Sequence, residues 1–127
     1  MKTNILKEKY IKYELTKDDV FKHQHYIIIT RSGIEKIQAI EKIHITYNVI
    51  KCETHFAAVQ ATAIKNENTI QTFGSALKGD TFKEGNTNSW YVMEMAEKRA
   101  MSRAVLKLTG FYELGVFGED ESEEFKK

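Results

Sequence analysis

Residues 55–79 read HFAAVQATAIKNENTIQTFGSALKG. In the first half, Ala57, Val59, Ala61 and Ala63 fall on one face, and Phe56, Ala58, Gln60, Thr62 and Ile64 on the other. That period of two predicts a strand. The polar stretch KNEN (65–68) is turn chemistry, and TIQTFGSALKG (69–79) predicts the returning strand. Just upstream, HITYNVIKC (44–52) alternates Ile45, Tyr47 and Val49 on one side. Three consecutive strands with short connections specify an antiparallel meander.

The flanks predict helices. Residues 3–14 space Ile5, Leu6, Tyr10, Ile11 and Tyr13 as a short amphipathic helix. TKDD (16–19) can start another turn, and HYIIIT (25–30) is a short apolar run of β type. In SGIEKIQAIEKI (32–43), Ser32 and Glu35 have capping-box spacing, and Ile34, Ile37, Ile40 and Ile43 mark one helical face. After the meander, KGDTFKEGNTN (78–88) is a polar loop, expected to be mobile. A long helix then runs from about Ser89 to Thr109, capped by Asn88 or Ser89 and stopped by Gly110. The fold class expected is α+β: short N-terminal helices and a strand, a three-stranded antiparallel meander, and a long C-terminal helix packed on the sheet. The single domain spans residues 1–118, followed by an acidic segment, 119–127.

Composition suits one soluble domain. A chain of 127 residues can bury about two-thirds of its unfolded surface. The lone Cys52 allows no internal disulfide, which points to a reducing cytoplasm. No apolar run reaches the roughly 18 residues of a membrane span. The net charge of +1 conceals an asymmetry: residues 119–127 carry five acids and two lysines, leaving the body with 17 bases and 13 acids. A basic body with an acidic tail suits a polyanion partner, or simply a solubilising tail.

The long helix concentrates the basic residues. Met93, Ala96, Ala100, Ala104 and Leu108 share one face, and the small alanines let the helix lie close to the sheet. Arg99, Arg103 and Lys107 follow at i, i+4 and i+8 as a ridge beside that stripe, with Lys98 on another flank. Acids early and bases late also complement the helix dipole, so a solvated ridge would look the same. The functional reading is phosphate contact, for which arginine forks are well shaped. Tyr91, Met95 and Leu106 lie opposite the alanines, so a second layer is expected there: a neighbouring subunit, or the chain's own N-terminal helix.

The segment MAEKRAMSRAVLKLTGF resembles the terminal helix of the phage single-strand DNA annealing proteins, the essential-recombination-function and RecT-like groups. The resemblance is carried by Ala96, Glu97, Lys98, Arg99 and Ala100, then Arg103 and Ala104, then Leu106 and Gly110. Weaker likeness extends from about residue 25 to 120. It implies a homo-oligomeric protein that binds single-stranded DNA and anneals complementary strands without ATP, in recombination and repair in a phage-infected or bacterial cell. It also implies that Lys98 and Arg99 line the DNA groove. Arg103 and Lys107 extend that set, with Arg31, Lys65 and Lys78 as secondary contacts.

Other chemistry is weakly signalled. His23, His25, His44 and His55 have no accompanying ligand cluster, so zinc is not expected. No phosphate-binding glycine loop or nucleophilic triad is recognisable, and Glu94 and Glu97 are explained by the helix dipole. No cofactor is expected and the chain reads as a binding protein, not an enzyme. Phe82, Trp90 and Tyr91 flank the polar loop and could stack bases, although Trp90 at a helix start reads more readily as core. The acidic tail would compete for the DNA groove or recruit a partner through Phe117 or Phe125. The alternatives are a small ligand-binding domain or enzyme with a pocket between sheet and long helix, and an oligomeric structural protein.

Overall fold

A computed structural model describes residues 2–81 and 83–120. The elements are α1 (Lys2–Lys12), β1 (Val20–His23), β2 (Tyr26–Ile29), α2 (Arg31–Glu41), β3 (His44–Cys52), β4 (Phe56–Lys65), β5 (Asn68–Leu77), α3 (Val92–Leu108), a 3-10 turn (Tyr112–Leu114) and β6 (Val116–Gly118). The α+β architecture, the meander and the long helix on its sheet are as the sequence predicts.

The meander has strand order β3-β4-β5. Lys65 pairs with Asn68 across the turn, where Asn66 takes a left-handed φ of 57°. Asparagine tolerates that conformation better than most residues. On the inner face of β4, Ala57, Val59, Ala61 and Ala63 are buried, as their alternation requires. The opposite face of the sheet carries half-exposed and exposed side chains, Phe73 and Leu77 among them.

Helix α3 lies along β4 and β5 with its alanine stripe down. Ala96, Ala100 and Ala104 are fully buried. A Cβ added at Gly74 of β5 would stand 2.2 Å from the Ala96 carbonyl oxygen and 2.5 Å from the Ala100 nitrogen. Helix and strand thus meet main chain to main chain. Next to this contact the Thr72 hydroxyl donates to the Ala100 carbonyl at 2.6 Å. The small residues on both sides of the interface are what permit the approach.

The second side of α3 is covered from within the fold. Val105 and Leu106 join Ile29, Ile34, Ile37, Phe111 and Val116 in one core cluster. A second, small sheet of order β1-β2-β6 packs there with α2. Met95, read from the sequence as opposite the alanines, packs instead on the sheet side, against Ala57, Val59, Ala76, Val92 and Ala96. The helix that reads as apolar on two sides is therefore sandwiched by its own chain, and Tyr91 is exposed.

Three local expectations are corrected. The small sheet contains β1 and β6, neither of which the sequence announces. Strand β1, VFKH, has no alternation, and β6 is three residues long and pairs in parallel with β2, Ile27 with Val116 and Ile29 with Gly118. Helix α2 is capped by Thr30, whose side chain accepts from the Gly33 amide at 3.2 Å, and Ser32 turns away to donate to Asp19. Helix α3 starts at Val92 without a side-chain cap; Ser89 instead accepts from the Tyr91 amide one turn earlier.

Asp19 ties the first third of the chain together. Its carboxylate accepts from the Thr16 amide at 3.0 Å, Ser32 at 3.0 Å and Lys36 at 2.7 Å. Lys36 and the Thr16 amide, against the opposing effect of burial, hold its pKa down at about 2. A carboxyl depressed in the folded state stabilises it above the unfolded pKa of about 4 and loses that contribution as pH falls toward 2. Asp19→Asn should therefore lower stability by about 1–3 kcal/mol near neutrality. Acid titration followed by circular dichroism should show a shallower loss of stability between pH 4 and 2 in the variant than in the parent.

Candidate nucleic-acid interface

The seven cations singled out in the sequence do not form one surface. At 100° per residue Lys98 and Arg103 lie about 140° apart around α3. Arg103 faces the β5 edge, whereas Lys98 faces the second layer, beside Asp120. The fold divides the set into four places, and one member leaves the surface altogether.

Arg99 is that member. It is 0% exposed. Its guanidinium donates to the carbonyls of Ser75 at 2.8 Å, Asn86 at 3.0 Å and Asp120 at 2.9 Å. It joins β5, the loop after β5 and the segment after β6. The expectation that Arg99 contacts phosphate is corrected: its donors are directed at main-chain oxygens inside the fold. The side chain looks accessible in the sequence because i, i+4, i+8 spacing shows only that it flanks the apolar stripe.

Arg103, one turn further, is half-buried, and its Nη1 donates to the Phe73 carbonyl at 2.8 Å. Together, Arg99 and Arg103 cover the outer carbonyls of β5, and Asn86 adds bonds to the Leu77 amide and the Ser75 carbonyl. Covering a strand edge with side chains in this way prevents it from pairing with another chain. The Phe73 ring, on the outer sheet face, stays 55% exposed beside this edge. Lys107 is exposed, with its ammonium 5.4 Å from the Tyr112 ring centre.

Lys98 and Arg31 stand around the start of the acidic segment. The Ser102 hydroxyl donates to Asp120 at 3.2 Å, and the Arg31 amide donates to Glu119 at 3.1 Å. Burial raises the Asp120 pKa, opposed by Ser102 and by the positive charges of Lys98 and Arg31. Residues 119 and 120 thus pack on the domain, while residues 121–127, including Phe125, lie outside the described residues. Phe117 is occupied internally, stacking edge-on with Tyr26 and Tyr112.

Lys65 belongs to a different corner. It lies 3.5 Å from Glu41, which Lys12 meets at 3.1 Å and to which the Tyr13 hydroxyl donates. Lys9 sits nearby, donating to the Thr109 carbonyl at the end of α3. Burial, with added repulsion from Lys12, lowers its pKa. An ammonium at a helix C-terminus satisfies its orphan carbonyls and dipole. Lys9 and Lys12 escape a motif-based reading because α1 carries no motif.

The last place is the far end of the meander. Lys78 is only 11% exposed at its side chain, and its ammonium lies 4.2 Å from the Trp90 ring centre. His55 meets the same indole edge-on at 5.2 Å. Trp90 is 60% exposed and Tyr91 70%. Trp90 is therefore not core, contrary to the sequence expectation, and Lys78 holds an aromatic ring. Phe82 lies outside the described residues.

Comparison with known proteins finds no matching family model, no matching curated protein and no matching solved structure. Among the described residues no three His, Cys, Asp or Glu side chains converge as a metal site, and no helix is long and apolar enough to cross a membrane. At Gly74 the space between sheet and α3, where a small-ligand pocket would lie, is closed by main-chain contact. An open surface groove lies instead among Tyr13, Thr16, Lys36 and Ile40.

Proposed function

We propose that the protein binds single-stranded DNA and promotes ATP-independent annealing of complementary strands, as a homo-oligomer acting in recombination and repair in the cytoplasm of a bacterial or phage-infected cell. The observation that carries this reading is the β5–α3 edge, where Arg103 reaches the main chain of Phe73, whose ring is exposed, and Lys107 is exposed one helical turn further along α3. Cations that meet a phosphate backbone next to an aromatic face are the means by which single strands are held without sequence preference. Such a protein gathers strands by their backbones, and duplex formation then proceeds downhill. On the second flank the charges of Lys98 and Arg31 are offset by Glu35, Glu119 and Asp120, whereas Lys65, Lys9 and Lys12 gather around the single Glu41 near the C-terminal end of α3. The unpaired edge of β3 supports self-association: among the described residues β3 pairs only with β4, and Tyr47, Val49 and Ile50 are exposed along it. A partner protein recruited through the acidic tail completes the proposal.

The test reads phosphate contacts directly. The double variant Arg103→Gln/Lys107→Glu should weaken retention of a labelled single-stranded oligonucleotide and reduce the slope of log affinity against log salt by about 0.7 per lost contact. Circular dichroism should stay native, since neither side chain is core. Complementary fluorescent oligonucleotides should anneal faster with the parent protein in the absence of ATP. Parent protein that retains no single strand at low salt, or a variant with an unchanged salt slope, would overturn this reading.

A further inference from the structure

Trp90 is the chain's single tryptophan, and its surroundings hold it open to solvent in a fixed position. Ser89 accepts from the Tyr91 amide at 3.0 Å, and the Ser89 amide donates to Thr87 at 3.1 Å, so short-range bonds set the main chain on both sides. The Lys78 amide donates to the His55 carbonyl at 2.7 Å, which joins the end of β5 to the β3–β4 turn beneath the ring. The Lys78 ammonium rests over the indole at 4.2 Å and His55 abuts it at 5.2 Å. A cation on a ring face orients the ring. The Lys78 ammonium, which also meets Asp80 at 3.6 Å, and the His55 ring anchor Trp90, while three-fifths of the residue remains accessible beside the still more open Tyr91. A large aromatic surface of this kind, kept from collapsing into the core, is a feature of recognition surfaces.

Resting on the single-strand reading given above, we infer that Trp90, supported by Lys78 and His55, is a nucleobase-stacking platform that anchors one nucleotide of a bound strand at the end of the meander. Any base has a π-face, so the platform takes purines and pyrimidines alike. Tyr91 offers a second ring to a neighbouring base. A base stacked on the indole is held by its face, so the anchor arrests sliding while the nucleotides along the β5–α3 edge stay available to a complementary strand. Lys78 contributes by holding the indole, which explains why so little of its own side chain is exposed.

The platform carries its own reporter. Two measurements on the full chain separate it from backbone binding: anisotropy of an end-labelled oligothymidylate, and emission of the one indole. Emission should be quenched with the same midpoint as the anisotropy change. Trp90→Ala should weaken oligothymidylate binding roughly 5- to 150-fold, whereas Trp90→Phe should keep most of it. An abasic oligomer of equal charge should bind the parent more weakly than oligothymidylate, by at least the factor lost in Trp90→Ala, and Trp90→Ala should discriminate between the two polymers by correspondingly less. Normal anisotropy binding with unchanged indole emission, and equal affinity of parent and Trp90→Ala, would overturn the platform and leave the backbone reading standing. No anisotropy change with the parent protein would overturn both.

Discussion

Alanine at position 74 should leave little folded protein. The Cβ would be placed 2.2 Å from one main-chain atom of α3 and 2.5 Å from another. Separations under 3 Å are not tolerated by carbon, and here the obstructing atoms cannot swing aside as a side chain could. The helix would have to rise from the sheet, opening the interface along Ala57, Val59, Ala76, Val92 and Ala96 and stretching the Thr72 bond to Ala100. Overpacking a core ordinarily costs about 1–3 kcal/mol, and a clash against rigid backbone should exceed it, at about 4 kcal/mol or more. That is a large share of the roughly 5–15 kcal/mol by which domains are stable. Urea unfolding should show the midpoint collapse. Ala96→Gly or Ala100→Gly should give no rescue, because neither removes the obstructing oxygen or nitrogen. A Gly74→Ala protein with a parental midpoint would show that helix and sheet are farther apart than described.

Arg99→Met should be the second severe variant. The substitution keeps much of the aliphatic volume and removes the donors that reach Ser75, Asn86 and Asp120. Each hydrogen bond from a charged group contributes about 1.5–3 kcal/mol, and buried acceptors left behind add desolvation cost. A loss of about 3–5 kcal/mol follows, equivalent to roughly 10–20 °C in melting temperature for a domain of this size. Arg99→Lys should recover only part of it, since a compact ammonium cannot reproduce the planar fork that spans three separate carbonyls. The contrast with Arg103 is diagnostic. Four residues away in the same apparent ridge, Arg103→Gln should change nucleic-acid retention with little effect on melting. If Arg99→Met melted like the parent and lost binding instead, the burial of the guanidinium would be wrong.

The same contrast shows what a sequence discloses. Strand β4 and helix α3 are legible because their apolar residues keep periods of two and 3.6 over ten or more positions, and β3 and β5 because they flank β4 across short polar connections. The alanine stripe is legible too, as a request for close approach, although its counterpart Gly74 is visible only once strand and helix are placed together. Among the short elements β2 is legible from its isoleucine run, whereas β6 is not: it has three residues, and its pairing with β2 depends on a turn of chain far away in sequence. The candidate site is legible in composition and not in direction. Arg99 and Arg103 share a spacing rule, yet a 40° step around α3 and the return of residues 86 and 120 bury one and leave the other half open. Trp90 defeats expectation in the opposite sense. Its hydrophobicity argues for the interior, but the ring is engaged by Lys78 and His55 on elements that meet only in three dimensions.

The pairing of Ile27 with Val116 also bears on the order in which the molecule comes together. As the chain leaves the ribosome from its N-terminus, the β1–β2 hairpin emerges early and must wait for its third strand. The meander and α3 are complete before it arrives, because their partners are near neighbours in sequence. Joining residues so distant closes a long loop, a step that slows folding. Arg99 is bound to the same clock, since one of its acceptors is the carbonyl of Asp120. Until residue 120 has folded back, the central arginine of α3 lacks one of its acceptors.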